Sequence, residues 1–104
     1  MLLSTTDIIV GKKITKQLGL AKGNTIRARH IGRDIMAIFR HIIGGEITDY
    51  TKMMAESREQ ALDRMVENAQ KLGANAVVHV SFSTQMIMGG ASEILAYGTA
   101  VVVE

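Results

Sequence analysis

Residues 54–80 read MAESREQALDRMVENAQKLGANAVVHV, and this run contains both of the periods from which the chain is built. Ala61, Leu62, Met65, Val66, Ala69 and Leu72 recur at helical spacing, while Glu56, Arg58, Glu59, Asp63, Arg64, Glu67, Gln70 and Lys71 fill the opposite side. A helix with one dry face has to lie on something. Gly73 can take the left-handed conformation that closes such a helix, and Lys71 suits the negative end of its dipole. From Ala76 the alternation has period two, so a helix hands over directly to a strand.

Downstream, strict alternation places Ala76, Val78, Val80, Phe82, Thr84, Met86 and Met88 on one strand face, and His79, Ser81, Ser83 and Gln85 on the other with Val77 and Ile87. Gly89-Gly90 turns the chain. The returning strand, Glu93 to Val103, puts Ile94, Ala96, Ala100 and Val102 on one side and Leu95, Tyr97, Val101 and Val103 on the other. Neither side is polar, and strands apolar on both faces are usually covered on both. That surplus of apolar surface points to other subunits completing the burial.

Upstream, Ile14, Leu18 and Leu20 alternate with Lys13, Thr15, Gln17 and Gly19, which argues for a long strand from about Lys12 to Ala28. Gly23-Asn24 interrupts it, and a bulge in one bent strand fits the short flanks better than a hairpin turn. After His30, Ile31, Ile35, Ile38, Phe39 and Ile42 form a helical stripe that Gly44-Gly45 ends. A second helix starts near Thr48 or Asp49, and carries Tyr50 and Met54 toward residues 54–80. Leu2 to Val10 reads as a short strand with a local turn at Ser4-Thr5-Thr6-Asp7. The order strand, long strand, helix, helix, strand, strand packs naturally as an α+β fold, an antiparallel sheet with helices on one face.

A chain of 104 residues fits a single domain spanning 1–104. Hydrophobic residues make up 47% but aromatic ones only 4%, so aliphatic side chains and seven methionines fill the interior. The formal net charge of +2 gives no global field that would attract nucleic acid or an anionic membrane. With no cysteine, disulfides, thiolate nucleophiles and thiolate metal ligands are excluded together. The first residues lack a signal-peptide pattern, and Ile35 to Ile43 falls far short of the roughly 20 apolar residues that span a bilayer. The expectation is a cytoplasmic protein.

Ser4-Thr5-Thr6, Arg33-Asp34, Gly44-Gly45 before Tyr50, Leu72-Gly73-Ala74-Asn75-Ala76-Val77-Val78 and Gly98-Thr99-Ala100-Val101 occur in this order across the chain. In that order and spacing the sequence resembles the YbjQ-like family of small bacterial proteins. The resemblance implies a two-layer β-α-β-β subunit, similar to a dodecin subunit, with an antiparallel sheet and two helices, assembled as a ring-like homopentamer. It also implies a heavy-metal-binding label but no catalytic residues. The missing cysteine counts against that label, since thiolates hold soft ions best.

Arg27, Arg29, His30, Arg33 and Arg40 form a basic cluster around a helix start, where guanidinium groups and orphan amides suit phosphate or carboxylate. Arg29, Arg33, Asp34, Gly44, Gly45 and Tyr50 are the ligand-binding candidates; salt bridges and helix termination explain the same residues without a ligand. His79, Met86 and Met88 are the metal candidates. The competing explanation for the methionines is that they continue the core stripe of Val80 and Phe82. There is no Walker loop, dinucleotide fingerprint or nucleophile elbow. The sequence therefore reads as a homo-oligomeric binding or scaffold module of unknown ligand and cofactor, a metal ion or small anion being the candidate partners. Anion or nucleic-acid binding through the basic cluster, or an enzyme with an intersubunit site, are the alternatives.

Overall fold

The computed structural model describes residues 1–28, 47–87 and 91–104. Its elements are β1 (Leu2–Leu3), β2 (Ile14–Ala28), α1 (Ile47–Lys71), β3 (Ala76–Ile87) and β4 (Ala91–Val103). The four strands form one sheet in the order β1-β3-β4-β2. β4 lies antiparallel between β3 and β2, whereas β1 runs parallel to β3, pairing Leu2 with Ala76 and Leu3 with Val77.

α1 forms where the helical period was read. Ser57, Ala61, Met65 and Ala69 recur every fourth residue and are fully buried. They face Ala21 and Thr25 of β2, Val77 of β3, and Ile94, Ala96 and Ala100 of β4. Of the fully buried residues on the helix side only Met65 is large, and the axis comes very close to the sheet. At Gly23 the approach is backbone on backbone: a β-carbon there would overlap Met65 N and Ala61 O and lie 2.6 Å from Arg64 C. The helix ends as the sequence indicates, with Gly73 at φ 92°. Asn75 then fastens the helix-to-strand corner to the end of β4, donating to Val103 O at 2.9 Å and accepting from Val103 N at 2.8 Å.

Several expectations need correction. Among the described residues there is one helix, not two; the helix expected over Ile31–Ile43 lies outside them. The sheet is mixed rather than antiparallel. Alternation reports which faces are apolar but not strand direction, and here Leu2 N and Ser4 N donate to the carbonyls of Asn75 and Val77 along the open edge of β3. The architecture remains α+β, with β1 and β2 preceding one described helix rather than a two-helix β-α-β-β unit. The dodecin-like description and the ring-like homopentamer rest on that other unit, and the single-helix mixed sheet removes their basis.

β2 is one long strand, but it crosses Gly23-Asn24 without a break in register; its irregularities fall between Ile14 and Lys16 and between Gln17 and Gly19. Gly23 serves the close helix approach instead of a bulge. The bulge that changes the fold is in β3. Between the pairs Val78–Thr99 and Ser81–Tyr97, two residues, His79 and Val80, face the single residue Gly98. Ala76 and Val78 consequently pack with Val101 and Val103 on the side away from α1, while Val80 packs against the helix-side core. Phe82, Thr84 and Met86 follow Val80 and change face with it. Ile9 covers the outer cluster, so the N-terminal segment of the same chain supplies cover that the sequence assigned to other subunits. Further along the same outer face Leu20 and Ile26 remain 60% and 58% exposed.

Candidate functional site

The bulge is built from both sides of β3. His79 has φ 56°, the left-handed region, and is the one non-glycine residue there among those described. Its N–H donates to Thr6 O at 2.9 Å, and the next amide, Val80 N–H, donates to Ser4 O at 2.9 Å. Both amides displaced by the extra residue are therefore satisfied by the N-terminal turn. That turn is held by its hydroxyls: Ser4 Oγ lies 2.7 Å from Thr6 Oγ1 and accepts from Thr6 N at 3.1 Å, and Thr6 Oγ1 donates to Ile8 O at 2.7 Å. This is a structural use for the Ser4-Thr5-Thr6 run. On the other side, a β-carbon on Gly98 would lie 2.7 Å from Val77 Cγ1 and 2.8 Å from Val78 O, so only glycine fits against the bulged strand.

The outcome is an exposed imidazole on a backbone held in a costly conformation by partners on both flanks. Ser81 Oγ donates to the His79 carbonyl at 3.4 Å. An exposed imidazole has two ring nitrogens to offer, as donors or, when neutral, as a metal ligand.

Met86 lies on the helix-side face of β3 and is exposed. It is seven residues beyond His79 on the same strand, roughly 20 Å at the usual rise of about 3.3 Å per residue. The two cannot share an ion within one chain. Met88 lies outside the described residues, as do Arg29, Arg33, Asp34, Gly44 and Gly45 of the ligand-binding set. Tyr50 falls in the first turn of α1. Among the described residues no three of His, Cys, Asp and Glu are grouped so as to hold a metal. The described part of a single chain therefore does not fit a heavy metal by itself. Sequence reasoning found His79 but missed its setting; the pairing of Gly98 with the Leu72–Val78 stretch, both within the family-like pieces, carries that information only once the register is known.

The YbjQ_1 family model, described as "Putative heavy-metal-binding", matches residues 1–104. The chain belongs to this YbjQ family. A UPF0145 protein of Methanosarcina acetivorans is 60% identical over 101 residues, covering 97% of this chain and 95% of its own. Another from Dehalococcoides mccartyi is 57% identical over 104 residues and covers 100% of both chains. Among solved structures, a protein of unknown function from Pediococcus pentosaceus, assigned to the DUF74 family, superposes with a TM-score of 0.66 at 15% identity. It covers 100% of this chain and 98% of that one, and at this identity the likeness extends to the fold alone. No helix among the described residues of this YbjQ-family chain is long and apolar enough to cross a membrane.

Proposed function

We propose that this YbjQ-family chain is a homo-oligomeric binding module in which His79 is the ligand-facing residue. The observation that carries this reading is the conformation of His79. A left-handed histidine costs about 1–2 kcal/mol relative to an ordinary strand residue, and such strain concentrates at functional sites. The bulge is fixed by Thr6, Ser4 and Gly98, and its one exposed product is the imidazole.

The ligand class follows from the donors. Imidazole suits zinc, nickel and copper, and each chain offers one such group at the bulge where a metal needs three or four. A metal site at His79 is therefore completed by equivalent residues of other copies. Of the basic-cluster alternative, Arg27 lies at the end of β2 opposite Ser92, and Arg29, His30, Arg33 and Arg40 lie outside the described residues.

Titration with zinc, nickel(II) and copper(I), followed by melting temperature, tests the reading. Binding to the folded protein alone raises the melting temperature. We expect a rise at fewer than one metal per chain, abolished in His79→Ala. An unchanged melting temperature in the wild type, or an equal rise in His79→Ala, would overturn it.

A further inference from the structure

The N-terminal turn that completes the bulge also carries a carboxylate to it. His79 N–H donates to Thr6 O at 2.9 Å, and Asp7 is the next residue after that carbonyl. The short backbone spans on either side of this hydrogen bond place the Cα atoms of Asp7 and His79 no more than about 7 Å apart. Both residues are exposed, and neither side chain is held by a hydrogen bond or ion pair among the described residues. An imidazole and a carboxylate without partners therefore rise from neighbouring backbone positions, contributed by distant parts of the chain.

The backbone that carries Asp7 is pinned on both sides. Thr6 is fixed through its carbonyl to His79 and through Oγ1, which donates to Ile8 O at 2.7 Å. The same Ile8 carbonyl lies 3.2 Å from Ser4 Oγ, and Ser4 O accepts from Val80 N–H at 2.9 Å. The turn is thus closed by its own hydroxyls and tied to β3 at two successive amides. None of these bonds uses the Asp7 carboxylate, so the turn needs residue 7 for its backbone alone.

We propose that Asp7 is the second ligand at the His79 site, and that the ion taken there is a divalent one such as zinc rather than soft copper(I). This rests on the metal reading above and adds to it a donor and a preference. Zinc lies about 2.0–2.2 Å from an imidazole nitrogen or a carboxylate oxygen, so one ion bridges two such side chains whose backbones are this close. The pair also discriminates among metals. Imidazole suits zinc, nickel and copper alike, but carboxylate oxygen is a poor donor to soft ions, and the chain has no cysteine to supply a thiolate. A site made of His79 alone would not separate zinc from copper(I); one made of both residues does. Two donors per chain leave the remaining coordination positions to other copies and to water.

Asp7→Asn tests the assignment, because it keeps the size of the side chain and removes its charge. The metal-free variant is expected to melt within about 1 °C of the wild type, since the carboxylate holds nothing in the fold. Calorimetric titration should then show zinc affinity at least about tenfold below wild type, with copper(I) affinity unchanged. Cobalt(II) in place of zinc gives a second readout: its visible absorption shifts in Asp7→Asn, as the loss of a ligand requires. Equal zinc affinity in the two proteins, an equal loss for both ions, or an unshifted cobalt spectrum overturns the role of Asp7 and leaves the His79 reading standing. A lower melting temperature of metal-free Asp7→Asn overturns it too, because the carboxylate would then be part of the turn. If the wild type binds neither zinc nor copper(I), both readings fail.

Discussion

The backbone N–H of Lys22 donates to Asn68 Oδ1 across 3.0 Å, so a side chain of α1 occupies a hydrogen-bonding position that a neighbouring strand would otherwise take. Two residues along, Arg64 satisfies the carbonyl of Asn24 in the same way. The helix thus does two jobs with adjacent turns. Ala61, Met65 and Ala69 bury its apolar stripe on the sheet, and Arg64 and Asn68, beside that stripe, close the edge of β2.

Asn68→Ala removes the acceptor and leaves the Lys22 amide to water. The expected cost is about 1 kcal/mol, the ordinary net value of one such hydrogen bond. Asn68→Asp keeps an acceptor at the same place and should retain most of the stability. Urea denaturation distinguishes the two through the midpoint, with the slope unchanged.

Gly23→Ala should be far more damaging than its size suggests. The added carbon meets backbone atoms of Met65, Ala61 and Arg64, and a helix backbone cannot rotate aside as a side chain can. Relief requires moving α1 off the sheet and loosening Met65, so destabilisation of about 3 kcal/mol is expected. Thermal unfolding would show it as a fall of more than 10 °C. A fall of a degree or two would mean that the helix does not lie this close.

How far the sequence speaks is visible in β3 and β4. In β4 the alternation reads correctly throughout: Ile94, Ala96 and Ala100 face α1, while Val101 and Val103 face away. In β3 it holds up to Val78 and then reverses, because His79 inserts one extra residue. Nothing in Val-Val-His-Val announces that, since the cause lies at Gly98 on the neighbouring strand and at Ser4 and Thr6 some 70 residues earlier in the chain. Gly23 is ambiguous in the sequence for the same reason. A glycine in a strand marks either a bulge or a close approach, and the choice depends on what packs against it. The direction of β1 and the packing of Ile9 on the outer cluster are likewise long-range facts. Of the candidate site, the imidazole is legible and its presentation is not.

Asn75, between the helix and β3, merits its own substitution. Its amide makes both hydrogen bonds that a strand residue would offer to Val103, at 2.9 and 2.8 Å, and Val103 is buried. Asn75→Ala leaves that N–H and C=O without these partners at the end of β4. A loss of about 2 kcal/mol is expected, with a melting temperature about 10 °C lower. Hydrogen exchange should then speed up at Val103 before it does at Ala96, which sits mid-strand under α1.

At His79 the strain itself makes a prediction with the opposite sign. Glycine accepts a positive φ without the clash between β-carbon and carbonyl that an L-residue suffers, although it loses more freedom on folding. The first effect is about 1–2 kcal/mol and the second about 0.5–1 kcal/mol, so His79→Gly should stabilise the fold by about 0.5–1 kcal/mol. His79→Val, β-branched and poorly suited to that region, should destabilise it by at least about 1 kcal/mol. Chemical denaturation of the two variants beside the wild type checks the order. Gain with glycine together with loss of metal-induced stabilisation would mark His79 as a residue kept for binding at the expense of stability. Loss of stability with glycine would mean that the imidazole holds the bulge together, and the binding role assigned to it would lose its main support.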